Sequence, residues 1–263
     1  MPSTPVVVLD STLTDIADAI RGKNGSSDTY KPSEMPAAIT AIPSGGGEGI
    51  LREVDANGVY GMPTQSFTFS LPSNATDVAN YALYWAFVDC TSLTSISLPT
   101  LTTVSGNNAL NHVSNGCTNL TSVDLSSLTT VSGASAFSYA FYNCTNLASV
   151  DLSSLTTVSG NGAFSYAFYG CTSLTSMSFP ALTTVSPNAA FSSAFYNCTS
   201  LASLSFPALT ASSFGSYDNQ FYNIIKGVTG CTLHFPAAAQ AKIATLGGYP
   251  DFGGTNTTVL FDL

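Results

Sequence analysis

Six cysteines, Cys90, Cys117, Cys144, Cys171, Cys198 and Cys231, divide the chain into four intervals of 27 residues and one of 33. Other slots keep the same step. Leu71, Leu98, Leu125, Leu152, Phe179 and Phe206 fill one, and Leu93, Leu120, Leu147, Leu174 and Leu201 fill another. A chain that repeats at a fixed period stacks copies of one unit, each packing against the next, because a single unit cannot bury its apolar face alone.

The unit reads Cys-Thr-x-Leu, an alternating strand segment, Pro or Ser, Leu-Thr-x-Val-Ser, a Gly/Asn turn, and an aromatic block before the next Cys. In Thr121-Ser122-Val123-Asp124-Leu125 apolar and polar residues alternate, the pattern of a strand with one buried face. Val123 and Leu125 are expected inward, Ser122 and Asp124 outward. Pro99, Pro180 and Pro207 end the strand, and Gly133, Gly160 and Pro187 break a second apolar run. Phe137 and Phe141 are four residues apart, which predicts a single helical turn that lays both rings on the core.

The expected fold class is α+β, mainly β: a solenoid of about seven coils, a rod of about 35 Å at the usual strand spacing, with a small helical N-terminal attachment segment. The expected divisions are that helical segment at 1–43, a Gly-rich linker at 44–49, an N-terminal cap at 50–65, the solenoid at 66–236 and a C-terminal cap at 237–263.

Charge narrows the function classes. Only 8% of residues are charged, the formal net charge is −9, and no Lys or Arg occurs from Glu53 to Ile225. A groove for a nucleic acid or a clamp for phosphate cannot be built there, and an anionic membrane surface is a poor partner. No apolar run is long enough for a membrane span. Met1 to Leu13 lacks a basic region and holds only the short apolar run Val6-Val7-Val8-Leu9, so an export route other than a cleaved leader is expected.

Two histidines, His112 and His234, leave little material for metal or acid/base chemistry, and no catalytic residue, metal site or cofactor is expected. Both histidines read as structural or as repeat substitutions. The cysteines could form disulfides, but side chains in one slot of successive coils lie parallel, which opposes the S–S dihedral. A ladder of buried free thiols is the expected arrangement.

Two outward surfaces could bind a ligand. The strand slots form polar ladders: Ser95, Ser122, Ser149, Ser176 and Ser203 in one, and Ser97, Asp124, Asp151, Ser178 and Ser205 in the other. A hydroxyl-rich sheet suits a glycan or a protein surface, and equally a plain solvated face. Asp124 and Asp151 stand about 5 Å apart as paired carboxylates, without the further acids or oxygens that acid/base work or calcium requires. The aromatic slots hold Trp85, His112, Tyr139 and Tyr166 in one column and Tyr142, Tyr169 and Tyr196 in another; such rings serve recognition surfaces, or line a coil corner.

The runs Ala140-Phe-Tyr-Asn-Cys-Thr-Asn-Leu147 and Ala194-Phe-Tyr-Asn-Cys-Thr-Ser-Leu201 resemble BspA-like bacterial leucine-rich repeats. The period of 27 falls in the leucine-rich repeat range and is longer than the roughly 23 residues of that family, the excess lying in the turn before the aromatic block. The resemblance implies a surface protein or adhesin. A second resemblance covers Leu13 to Ile42, which is similar to segments of tail and fibre proteins of phages and prophages of Gram-positive bacteria. Its residues make two apolar helical stripes, Leu13, Ile16 and Ile20, then Met35, Ile39 and Ile42. The ending from Leu233 to Leu263 also looks like that of phage-associated repeat proteins.

Together these imply a non-catalytic virion protein. The head would attach to a phage tail or baseplate protein, and the solenoid would bind a bacterial surface glycan or protein. The alternatives are a bacterial surface or secreted adhesin, and a structural spacer without ligand. A homo-oligomer through the head fits such a fibre, although no heptad run supports one.

Overall fold

The computed structural model describes Glu53–Val54, Tyr60–Gly61, 66–71 and 74–263. The attachment segment at 1–43, the linker at 44–49 and most of the N-terminal cap at 50–65 lie outside the described residues. The chain is a β-solenoid of about seven turns with little helix, as the repeat requires.

Each coil has three sides. The first side is built by the alternating segments: β3 (Phe67–Ser70), β4 (Leu93–Ser97), β6 (Ser122–Asp124) and β8 (Ser149–Asp151) form one parallel sheet. The strands β10 (Ser176–Ser178), β12 (Ser203–Ser205), β13 (Thr232–His234) and β14 (Thr258–Leu260) form another. Pairing follows the repeat, with Ser122 opposite Ser149, Val123 opposite Val150 and Asp124 opposite Asp151. Short strands of Thr-Val, β5 (Thr103–Val104), β7 (Thr130–Val131), β9 (Thr157–Val158) and β11 (Thr184–Val185), make the second side. The remaining strands, β1 (Glu53–Val54) and β2 (Tyr60–Gly61), pair antiparallel. A four-residue α-helix, Gln240–Ile243, precedes β14.

The third side corrects the expected helical turn. From Ser135 to Cys144 the chain runs as successive turns in which every fourth residue, Ser135, Tyr139 and Asn143, holds φ of 52–56°. Phe137 N–H donates to Ala163 O, Tyr139 N–H to Ser165 O and Phe141 N–H to Ala167 O, while Ser138, Ala140 and Tyr142 N–H bond three residues back within the coil. Alternate amides thus tie the coil to its neighbour and close its own turns, so the backbone is paired without helix or strand. The period of four places Ala136, Phe137, Ala140 and Phe141 in the core and turns Tyr139 outward, while Ser138 is buried with its hydroxyl donating to Ser165 O. A helix would reach a similar inward spacing, which is why the sequence pattern admits it.

One left-handed column carries residues that tolerate the conformation. It reads Asp89, Gly116, Asn143, Gly170, Asn197 and Gly227, all with positive φ. The alternation is steric: a Cβ on Gly116 would lie 2.0 Å from Asp89 Oδ1, and one on Gly170 would lie 2.4 Å from Asn143 Oδ1. Each Asx side chain occupies the space that the glycine of the next coil leaves empty.

The core is a set of columns. Phe137, Phe164 and Phe191 stack at 5.0 and 5.1 Å, and Phe141, Phe168 and Phe195 at 5.3 and 5.0 Å. All six cysteines are free and buried. Four of their thiols donate to a carbonyl of the preceding coil: Cys117 to Phe87 O, Cys144 to Ser114 O, Cys171 to Phe141 O and Cys198 to Phe168 O, at 2.8–3.1 Å. Burial pushes the Cys144 and Cys198 thiols up to about 12 and Cys231 up to about 11. Those thiols stay protonated near neutral pH, and burial keeps all six away from a reagent. A thiol-specific disulfide reagent at mildly alkaline pH is expected to leave the folded chain unmodified and to titrate all six cysteines in denaturant. Rapid stoichiometric reaction of the native chain would contradict this.

Candidate functional site

The outward face of the first side is polar, as expected. Thr68 Oγ1 and Ser95 Oγ share a hydrogen bond of 2.6 Å, and Ser178 and Ser205 one of 2.8 Å. Ser122 and Ser149 lie on this face opposite one another. Asp124 and Asp151 are neighbours on adjacent strands, but each carboxylate caps its own turn. Ser126 N–H donates to Asp124 Oδ1 at 3.0 Å and Ser153 N–H to Asp151 Oδ1 at 2.9 Å. These contacts give both acids a turn-forming role. Among the described residues no three His, Cys, Asp or Glu side chains are grouped so as to hold a metal ion.

Asp77 does similar work on the second side. It accepts from Ser105 Oγ at 2.5 Å, Ser105 N–H at 2.9 Å and Val78 N–H at 2.7 Å. Burial works to raise its carboxyl, but these hydrogen bonds outweigh it and hold the group below the ordinary carboxylate value. The folded-state value is depressed, so the stabilisation is present above the unfolded value of about 3.9 and is lost as pH falls through the lower folded one. Asp77→Asn is expected to flatten that acid limb of the unfolding curve, and an unchanged limb would contradict the assignment.

The aromatic columns lie on the third side, where the left-handed turns point them out. Trp85, His112, Tyr139 and Tyr166 stack with centroids 4.7, 4.7 and 4.9 Å apart. Tyr142, Tyr169 and Tyr196 stack at 4.4 and 4.9 Å, and Lys226 Nζ lies 5.6 Å from the Tyr196 ring. These rings are half-buried. Planes within 4° for Tyr139 and Tyr166 and 7° for Tyr142 and Tyr169 mean that each ring covers its neighbour's face. The tyrosines therefore show solvent their edges and hydroxyls, whereas Trp85 Nε1 is buried without a hydrogen-bond partner. Burial, then the adjacent phenol, raises the Tyr139 and Tyr142 hydroxyls above their ordinary value, so they stay protonated donors. Burial lowers the His112 imidazole and keeps it neutral.

Two exposed residues beside these columns escape a reading based on repeated slots. Tyr81 and Tyr84 are 58% and 39% exposed, against small residues in the same slots of later coils: Ser135, Gly162 and Ala189, and Ser138, Ser165 and Ser192. Their signal is departure from the repeat. The next coil departs beside them, with Asn108, Asn111 and His112 where the following one has Ser135, Ser138 and Tyr139.

A family model described as BspA type leucine rich repeat region matches residues 60–166 and 165–229, in 6 copies. Among solved structures the chain is similar to a leucine-rich repeat protein from Bacteroides ovatus, at 22% identity and a TM-score of 0.42, over 76% of this chain and 45% of that one. It is similar also to the pneumococcal vaccine antigen PcpA, at 14% identity and a TM-score of 0.45, over 78% and 44%. A leucine-rich cell surface protein from Faecalibacterium prausnitzii matches at 14% identity and a TM-score of 0.26, over 86% of each chain. The chain spans less than half the length of the first two structures. No curated protein matches it significantly.

Proposed function

Because the chain belongs to the BspA-type leucine-rich repeat family, we propose that it is a non-catalytic recognition module that binds a bacterial surface glycan or protein through its solenoid. The observation that carries this reading is the third side. It sets Trp85, Tyr139, Tyr142, Tyr166, Tyr169 and Tyr196 outward in stacked columns, and the sequence has no Lys or Arg from Glu53 to Ile225. Rigid aromatic edges with hydroxyl tips give large contact area at little entropic cost. The absence of basic residues points away from nucleic acid and anionic lipid.

The resemblance of Leu13 to Ile42 to phage tail and fibre segments favours one carrier: a virion, to which residues 1–43 attach through Leu13, Ile16, Ile20, Met35, Ile39 and Ile42. The other carrier is the bacterial surface itself. The full chain, used as bait on intact Gram-positive cells, their wall fractions and phage structural proteins, separates them. Binding to cells supports recognition. Capture of a tail or baseplate protein, lost in an Ile16→Asp/Ile39→Asp chain that still binds cells, supports the virion. A folded chain that binds no cell or wall fraction overturns the recognition reading in favour of a spacer.

A further inference from the structure

We propose that the first two coils carry a site for a neutral hexopyranose of a surface glycan, formed by Tyr81, Tyr84, Trp85, Asn108, Asn111 and His112; this rests on the recognition reading and specifies its ligand. The rings here differ from the columns. Tyr81 and Tyr84 meet at 81° with centroids 5.5 Å apart, and Tyr84 and Trp85 at 46° and 6.0 Å. Rings so inclined overlap less than the parallel stacks do, and with Tyr81 and Tyr84 58% and 39% exposed an aromatic face is open to solvent. The C–H face of a pyranose packs on such a surface, and its equatorial hydroxyls need fixed donors and acceptors beside it.

The adjacent coil supplies them through Asn108 and His112, with the buried Asn111 positioning both. Asn108 lies one repeat along from Tyr81, and Asn111 one repeat along from Tyr84. Asn111 Nδ2 donates to Asn108 Oδ1 at 2.8 Å, and His112 Nδ1–H donates to Asn111 Oδ1. The chain of hydrogen bonds fixes both amides and assigns the imidazole tautomer, leaving Nε2 as an acceptor. His112 is also stacked at 4.7 Å between Trp85 and Tyr139, so its ring plane is held. Amides and a neutral imidazole hydrogen-bond hydroxyls without a charged partner. No Lys or Arg lies within these coils, which disfavours sialic, uronic or phosphorylated sugars.

The fold does not demand these residues. Later coils close the same turns with Ser, Gly and Ala. Tyr81 also holds φ of 58°, a conformation that costs a bulky residue more than it costs the Asn108 of the next coil, at 53°. An exposed tyrosine kept at a strained position gains little from burial, and contact with a ligand accounts for it.

The chain has one tryptophan, Trp85, so tryptophan emission, excited apart from the 12 tyrosines, reports on this patch alone. The full chain is titrated with neutral gluco-, galacto-, manno- and N-acetylglucosamine oligosaccharides, and in parallel with sialylated and uronic ones. The expected result is a saturable change in emission with at least one neutral oligosaccharide. It should weaken by about tenfold or more in Tyr84→Ser and in Asn111→Ser, the loss typical of an anchor residue, while Ser176→Ala, on the outward face of the first side, leaves it intact. Both substitutions install the residue that later coils use, Ser165 and Ser138, so folding is preserved. A flat titration with every neutral sugar, a response to acidic sugars only, or a response that survives both substitutions overturns the site. Cell binding that persists in the flat-titration case leaves the recognition reading standing, and loss of cell binding by the unmodified chain overturns that reading separately.

Discussion

Phe164→Ala is expected to destabilise the solenoid by about 3–5 kcal/mol, the range for emptying a fully buried phenylalanine site. Phe164 has no exposed surface and stands between Phe137 and Phe191, with centroids 5.0 and 5.1 Å away and planes within 6° and 2°. Removing the ring opens a gap in a column whose neighbours are held by their own coils. Gly162 N–H and Phe164 N–H are bonded to Asn188 O and Ala190 O, so the backbone cannot close over the void. Stacking adds to the burial lost, since each ring pair contributes about 0.5–1.5 kcal/mol beyond its area. Because a repeat protein couples each coil only to its neighbours, the loss should also broaden the transition. Denaturant unfolding followed by circular dichroism measures both. A midpoint unchanged from that of the parent would contradict the column.

Gly133→Ala is expected to cost about 3 kcal/mol, the upper end of overpacking penalties. A Cβ there would lie 2.0 Å from Gly106 O and 2.5 Å from Gly106 C. The contact is backbone on backbone. Gly106, Gly133 and Gly160 N–H donate to Val78, Val104 and Val131 O in turn, which fixes the spacing. Pro187 fills the next position of this column without such an N–H bond, so its approach to the coil before is not set in the same way. Gly162→Ala is the contrast. Its φ is 60°, but a Cβ would meet nothing closer than 3.7 Å, and Ala189 already occupies the same slot at φ of 54°. That change should cost about 1 kcal/mol, the ordinary left-handed penalty. Equal effects for the two glycines would show that close approach is not what selects Gly133.

The strands of the first side were legible because Ser122-Val123-Asp124 alternates over one buried face and the period fixes the register. The free thiols followed from the same register, which holds Cys side chains parallel. The third side was not legible from apolar spacing. Phe137 and Phe141 repeat every four residues in these turns, too close to 3.6 for an inward pattern to separate them from a helix. The discriminating signal lay in the outward slots, where Asp89, Gly116, Asn143, Gly170, Asn197 and Gly227 alternate as residues that accept positive φ. Column membership placed Tyr139 and Tyr166 together, but not that their faces are buried on each other, because ring orientation depends on turn geometry. Tyr84 and Asn111 carried their information in breaking the repeat, and attention to what recurs passes over it.

The claim that the third side is the binding surface is tested most directly by comparing cell binding of the full chain with that of two surface variants. One variant carries Tyr84→Ser, Tyr139→Ser, Tyr142→Ser, Tyr166→Ser and Tyr169→Ser on the third side. The other carries Ser122→Ala, Ser149→Ala and Ser176→Ala on the outward face of the first. With folding verified by thermal unfolding, the account predicts that the third-side variant loses binding by about a hundredfold, the scale of several lost aromatic anchors, while the sheet-face variant binds as the parent does. Binding retained by the first and lost by the second would contradict it.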